Sequence, residues 1–441
     1  MTYLNNTTSE AQHNNAQLKL NDFSKYSEDI VHGNMDFYRN WVNQVPFNYK
    51  YIHTLKLDEN DQKISNPNVF FLPYLGEEVD GSGDTFNIPL MINYNISNAG
   101  SAWQSKSDYT LVPFQTINGS VAAESINKFK KIGLKGMQRD QPFYHRCSTS
   151  LAAECRNTVI DHDQAMSVYS NNLVRVSKIS SDFYQTESTP EILNCSNFTP
   201  SKAIAISDNR RAVAGRDGHL ALFDSSSPAN DNTYNPILLN KIRIPYDNVD
   251  FKKAFEVTDL KFSKVSKNLL YGVTSSSQLF LWDSRDASLK ISPDMHDGPI
   301  NSIDSHIFDD NYLLTGGSDR VVKVWDRRKL SSNYSQSSYP SIIVQKHHSQ
   351  VNQVSWSPML SDAFASCSDD GTVNIYTADS NFMTKDKIFT HYGHQSPVKS
   401  FQWFPLKEGL LSIASISQMN DGTDAILQVW ETEPSCFNNL N

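Results

Sequence analysis

The sequence predicts an all-β fold, a seven-bladed β-propeller preceded by one N-terminal α-helix. Three observations lead there: a hairpin unit too small to bury its own apolar face, its recurrence along the chain, and one segment of helical periodicity ahead of the repeats. The unit is clearest at residues 313–330, LLTGGSDRVVKVWDRRKL. Leu313, Leu314 and Thr315 begin a strand, residues 316–320 make a tight turn, and residues 321–325 return as a second strand. A single hairpin of this kind leaves apolar surface in water, so it implies stacked copies.

The copies close on Tyr169, Phe223, Trp282, Trp325, Tyr376 and Trp430, spaced 43 to 59 residues apart. A propeller blade needs roughly 40–45 residues, so each copy is one blade with some loop growth. Six positions before the closing aromatic stand Asp163, Asp217, Asp319, Asp370 and Asp424; Ser276 breaks the pattern in the copy that ends on Trp282. With the Gly393-His394 and Trp325-Asp326 pairs, these copies resemble the WD40 repeat family over about residues 147–433. The resemblance implies that each Asp caps its turn and accepts a hydrogen bond from a histidine at the edge of the previous blade. His296, His347 or His348, and His394 are the candidates. Asp319, Trp325, Trp430, His296 and His394 are then residues that hold blades together, not catalytic groups.

Acids outnumber bases, 48 to 39, giving a net charge of −9. That disfavours a binder of the nucleic-acid backbone and suits a partner with basic tails, although acidic surfaces also simply confer solubility. The N-terminal residues lack a basic-then-apolar signal pattern, and no window approaches ~18 uninterrupted apolar residues, so neither export nor a membrane span is expected. Cys147, Cys155, Cys195, Cys367 and Cys436 are odd in number and scattered, which fits reduced thiols in cytosol or nucleus better than a disulfide frame or zinc site. There is no G-x-S-x-G, Walker loop or H-E-x-x-H. His347 and His348 are adjacent and on a strand would point to opposite faces, a poor metal pair. The expectation is a protein without catalytic site, metal or cofactor.

In chain order, residues 1–22 are polar and Asn-rich and read as a disordered tail. Residues 23–57 read as a helix and linker. Tyr38, Trp41, Val42 and Val45 share one helical face, Asn34 is a suitable N-cap, and Pro46 stops the helix. A helix of about three turns is marginal alone and must dock. The propeller is assigned to residues 58–433, with a strand near 69–72 expected to complete the last blade. Residues 85–121 read as a degenerate first blade. Residues 122–142 hold Lys128, Lys130, Lys131, Lys135 and Arg139, read as a solvated loop or a weak import signal. Residues 434–441 form a polar tail.

Trp41, Pro46, Phe47 and Tyr49, ahead of such repeats, resemble the retinoblastoma-associated histone-binding family, as do the last two blades. There Gln353, Val354, Trp356, Ser357 and Pro358, then Gly393-His394, Phe401, Trp403, Pro405 and Trp430, occupy matching places. Two departures stand out. Residues 58–65 are polar where the family has Trp-Pro-Ser-Leu, and TADSNFMTKDK replaces the family's long acidic loop between blades six and seven. Such divergence is similar to the yeast transcriptional-modulator and corepressor branch. The resemblance implies a non-catalytic scaffold in a nuclear deacetylase-type corepressor complex that represses transcription, with deacetylase or corepressor subunits as partners and histones as a further one. The protein is expected in the nucleus and also in the cytoplasm. Expected contact surfaces are a helix groove (Phe37, Tyr38, Trp41, Phe47, Tyr49) and the narrow propeller face, where Asp259, Asn301, Asn352 and Lys399 start inner strands. A nuclear anchor or import adapter is the alternative. A cullin-type ligase receptor is a second, resting on the Trp282-Asp283-Ser284-Arg285 and Trp325-Asp326-Arg327-Arg328 runs.

Overall fold

The structure is a computed structural model. It describes the backbone of the strands from residue 49 onward and the side chains of most residues between 156 and 432. Residues 1–48, residues 433–441 and connecting stretches such as 116–143, 179–190, 225–236, 244–255, 331–338, 379–384, 405–411 and 420–424 lie outside the described residues.

The described residues form seven four-stranded antiparallel sheets. Sheet 1 holds β2 (Lys63–Phe71), β3 (Asn87–Ser97), β4 (Lys106–Gln115) and β5 (Tyr144–His145). Sheet 2 holds β6 (Cys155–Asp161), β7 (Gln164–Tyr169), β8 (Val174–Lys178) and β9 (Glu191–Leu193). Sheet 3 holds β10 (Pro200–Ser207), β11 (Arg210–Gly215), β12 (His219–Asp224) and β13 (Ile237–Arg243). Sheet 4 holds β14 (Val257–Phe262), β15 (Leu269–Thr274), β16 (Leu279–Asp283) and β17 (Ser288–Ser292). Sheet 5 holds β18 (Ile300–Ser305), β19 (Tyr312–Gly317), β20 (Val322–Asp326) and β21 (Ile342–Val344). Sheet 6 holds β22 (Val351–Trp356), β23 (Ala363–Ser368), β24 (Val373–Ala378) and β25 (Lys385–His391). Sheet 7 holds β26 (Val398–Phe404), β27 (Ser412–Ser417), β28 (Ile426–Thr432) and, outermost, β1 (Tyr49–Lys56). The first strands β2, β6, β10, β14, β18, β22 and β26 run beside one another, with β2 against both β6 and β26. This is an all-β propeller. Side chains are described for six of its blades, sheets 2 to 7; sheet 1 is described by its backbone pairing.

The closing strand differs from expectation. β1, not a strand near 69–72, completes sheet 7 by pairing antiparallel with β28, Ile52 opposite Trp430 and Leu55 opposite Leu427. Residues 69–71 lie instead in β2, paired with β3. The propeller thus starts inside the stretch assigned to the linker. Lys50, His53 and Lys56 gave YKYIHTLK a polar look, but an outermost strand has one solvated edge and tolerates such residues. The helix expected near residues 34–45 lies outside the described residues. Among the described residues no helix is long and apolar enough to cross a membrane.

The strands are apolar on both sides because each sheet is covered on both sides. All six residues of β15, LLYGVT, are buried. In sheet 5, Leu313 and Trp325 pack toward sheet 4, with Leu269, Tyr271 and Met295. Leu314, Val322 and Val324 pack toward sheet 6, with Val351, Val354 and Trp356. Similar layers lie between sheets 2 and 3, 3 and 4, and 6 and 7. The core is therefore a series of inter-sheet layers, and each blade depends on its neighbours.

Candidate partner-binding faces

Five of the first strands, β6, β14, β18, β22 and β26, open with an apolar residue followed by a break in register. The shift leaves Arg156 of β6, Thr258 of β14, Asn301 of β18, Asn352 of β22 and Lys399 of β26 without a partner residue in the second strand. A bulge re-aims its side chain, and in four of the five the side chain turns to the next sheet, while Lys399 turns back to Asp369 of sheet 6. Arg156 Nη1 donates to Pro200 O at 3.3 Å and Ser201 Oγ to Val257 O at 3.4 Å. Thr258 Oγ1 donates to Ile300 O. Asn301 and Asn352 Nδ2 donate to Val351 O and Val398 O, each at 2.8 Å. These bonds form a belt from sheet 2 to sheet 7.

A second belt lies one residue on. Asp259 accepts from Ile303 N at 3.0 Å and Ser302 Oγ at 3.2 Å. Ser302 Oγ accepts from Val354 N at 3.3 Å, and Gln353 Oε1 accepts from Phe401 N at 3.0 Å. Burial pushes the Asp259 carboxyl above its ordinary value, against the pull of Lys261 and these donors.

The expected face residues are therefore placed differently from their sequence reading. Asn301, Asn352 and Lys399 are equivalent, but their counterpart in sheet 4 is Thr258; Asp259 stands one position further, with Ser302, Gln353 and Ser400. The two asparagines bridge blades. Lys399, half-buried, pairs with Asp369 at 3.0 Å, which also accepts from Asn352 Nδ2 and Gln350 Nε2, each at 2.6 Å. That cluster is one polar feature at this end of the inner strands among the described residues. Thr258, Arg156 and Ser201 were missed in the sequence; the available signal was a polar residue directly after the apolar start of a first strand.

The blade-holding residues meet as a chain of hydrogen bonds in sheet 5. Asp319 Oδ2 lies 2.9 Å from His296 Nδ1, so that nitrogen carries the proton. Nε2 then accepts from the Thr315 hydroxyl at 2.7 Å, and Trp325 Nε1 donates to the same oxygen at 2.8 Å. Asp319 also caps Asp297 N and Val321 N. Burial raises its affinity for protons, but the His296 ring and the two backbone donors hold the carboxyl below its ordinary value. In sheet 6, His347, not His348, takes this place, bonded to Asp370 at 2.9 Å and Ser366 at 2.7 Å. In sheet 7, His394 meets the hydroxyls of Ser417 and Ser415, each at 2.7 Å, and Trp430 Nε1 donates to Ser415 at 3.1 Å. Asp163, Asp217 and Asp424 lie outside the described residues, as do Phe37, Tyr38, Trp41 and Phe47. Tyr49 is not part of a helix end; it begins β1, opposite Thr432.

Little here is reactive. Burial pushes the Cys195 thiol up to about 12 and raises that of Cys367 as well, so neither offers a thiolate near neutrality. Among the described residues no three His, Cys, Asp or Glu side chains gather to hold a metal ion. The arrangement can brace a rigid ring and present faces to other macromolecules.

Comparison with known proteins agrees with the geometry. The model of the nucleolar protein 10-like N-terminal domain, a β-propeller, matches residues 137–376. The WD-40 repeat-containing protein MSI4 of Arabidopsis thaliana is 32% identical over 40% of this chain and 36% of its own length. The histone acetyltransferase type B subunit 2 of Candida glabrata is 26% identical over 30% of this chain and 33% of its own. Human nucleoporin Nup43 is 23% identical over 45% of this chain and 47% of its own. The chain thus spans a third to just under half the length of these relatives.

Proposed function

From the premise that this chain belongs to the β-propeller family of nucleolar protein 10-like N-terminal domains, with WD40 repeats, we propose that it is a nuclear, non-catalytic scaffold that gathers protein partners. More finely, it serves a chromatin-modifying complex of the deacetylase corepressor type in repressing transcription, with histones as a further ligand. The observation that carries the finer reading is the relative that is itself a histone acetyltransferase subunit. The braced inner strands support the coarser one, since a ring held by its own side chains needs no ligand to keep its faces in shape. The working surfaces are the Lys399–Asp369 cluster and the groove beside Phe37, Tyr38, Trp41 and Phe47.

Affinity purification from nuclear extract, with the wild-type chain and with Trp41→Ala/Phe47→Ala, tests this. Deacetylase, acetyltransferase or chromatin-assembly subunits should co-purify with the wild type and be depleted with the variant. Recovery of none of them overturns the corepressor reading. Loss of two large aromatics can itself lower stability, so both chains are melted first. The Nup43 relative favours a second reading, an anchor that retains a soluble protein in the nucleus. A cargo that moves to the cytoplasm on deletion, with repression intact, would select it.

A further inference from the structure

We infer that the face formed by the far ends of β14, β16, β18 and β20 binds an acidic peptide segment bearing apolar side chains. Two residues single this face out. Val265 and Phe308 each stand three positions past the end of their first strand, in adjacent sheets, and are 49% and 60% exposed. Isolated exposed apolar residues are ordinary, but two at the same position of neighbouring blades make a patch.

The loops that carry them are fixed. Ser263 Oγ accepts from Val265 N at 3.1 Å and Ser266 N at 2.8 Å. His306 Nδ1 accepts from Phe308 N at 3.2 Å and Asp309 N at 2.9 Å, while its Nε2 donates to Ser361 O at 2.6 Å. The two loops are tied together by Ser263 to Asp310 and by Lys264 N to Ser305 Oγ at 3.3 Å. Apolar tips held this way need little ordering when a partner arrives, which favours binding.

Three ion pairs beside them hold the cation outward, while in a fourth, Lys267 with Asp208, both side chains are exposed. Lys264 is 38% exposed and its partner Asp304 5%; Arg285 is 66% and Asp283 14%; Arg328 is 60% and Asp326 4%. In these three pairs the cation protrudes and the carboxylate lies beneath. Asp309 and Asp310 are engaged within the loops, with Asn311 and Ser263. On a chain of net charge −9 this face therefore shows cationic heads around an apolar pair. A carboxylate-rich peptide with apolar anchors complements both features. A nucleic-acid backbone complements them less well, because its phosphates bring no apolar side chains to Val265 and Phe308.

Fluorescence anisotropy on the full chain tests the assignment. The probe is a short labelled peptide of aspartates and glutamates carrying two leucines. Comparison probes replace its acids by lysine or its leucines by serine, and an oligouridylate is the nucleic-acid arm. The acidic leucine peptide should bind, with the other three at least about tenfold weaker. Val265→Ser/Phe308→Ser should weaken it about tenfold, and Lys329→Glu, at an exposed neighbour of Arg328, severalfold. Circular dichroism checks folding; if the double variant does not fold, Lys329→Glu alone decides. Unchanged binding by a folded variant, tighter binding of the oligouridylate, or no binding up to about 1 mM overturns the proposal.

Discussion

Sheets 4 and 5 share one hydrogen-bonded frame and hold it by different chemistry. In sheet 5 the space behind the closing Trp325 is filled by a polar chain, Asp319, His296 and Thr315. In sheet 4 two of those places have changed. Gly272 pairs with Leu260 as Thr315 pairs with Ile303, and Ser276 replaces the capping Asp. A Cβ on Gly272 would fall 2.1 Å from the Phe280 ring, so the ring occupies the volume that the Thr315 side chain takes in sheet 5. The Trp282 indole nitrogen is buried without a hydrogen-bond partner. A blade therefore needs its volume filled behind the closing aromatic; the polar chain is one way to fill it, and it adds a cap on the turn.

Removing the filler from sheet 4 should have the largest effect. Phe280→Ala should cost about 3–5 kcal/mol of stability in urea unfolding, as a cavity opens under Trp282. Gly272→Ser alone should also destabilise, by about 1–3 kcal/mol, because its Cβ meets the ring. Combined, they should cost less than their sum, since the new hydroxyl gains both space and the Trp282 donor. Additive costs would mean that Phe280 and Gly272 do not share one site, and the contrast between the sheets would fail.

The converse change belongs in sheet 5. Thr315→Val keeps the shape but removes the oxygen that serves both His296 Nε2 and Trp325 Nε1. Two buried groups then lack partners, at about 1–3 kcal/mol each, for a loss of about 2–6 kcal/mol. Thermal melting measures it. A loss under about 0.5 kcal/mol would show that sheet 5, like sheet 4, is held by packing alone.

Much of this was legible in the sequence where spacing carries the information. Asp319, Asp370, Trp325 and Trp430 were found because a turn and a closing aromatic sit at a fixed separation. His347 could not be separated from His348 by sequence, because which of two neighbours points inward depends on the register of the loop. Asp259 was misplaced by one for a related reason: the bulge after the first residue of its inner strand shifts the side-chain alternation, and alternation alone does not reveal it. β1 was read as linker because an outermost strand, wet along one edge, lacks a continuous apolar pattern. Val265 and Phe308 carried no signal, since exposure at a loop tip is decided by the loops around it.

The last contrast is between the histidines of sheets 5 and 7. Burial holds the proton affinity of His296 below its ordinary value, and Asp319 offsets part of that drop. His394 has hydroxyl partners and the nearby His391 ring, 5.3 Å away, instead of a described carboxylate. Burial brings His391 to about 3 and His394 well below the ordinary 6.5, with His391 adding to the drop. Both rings are neutral in the folded chain and bind protons readily once unfolded. Their effect on stability is thus absent above pH 6.5 and grows as the pH falls toward the folded values. At pH 5.5 the neutral His391 ring should cost on the order of 1 kcal/mol, and His394 adds in the same direction. Hydrogen exchange should show β27 and β28 losing protection between pH 6.5 and 5.5 while β19 and β20 keep theirs. His391→Phe keeps a ring against Trp430, which His391 stacks on at 4.4 Å, and removes one titrating group, so it should flatten the response. If sheets 5 and 7 lose protection together, the carboxylate at Asp319 does not distinguish them, and the acid response belongs to the ring as a whole.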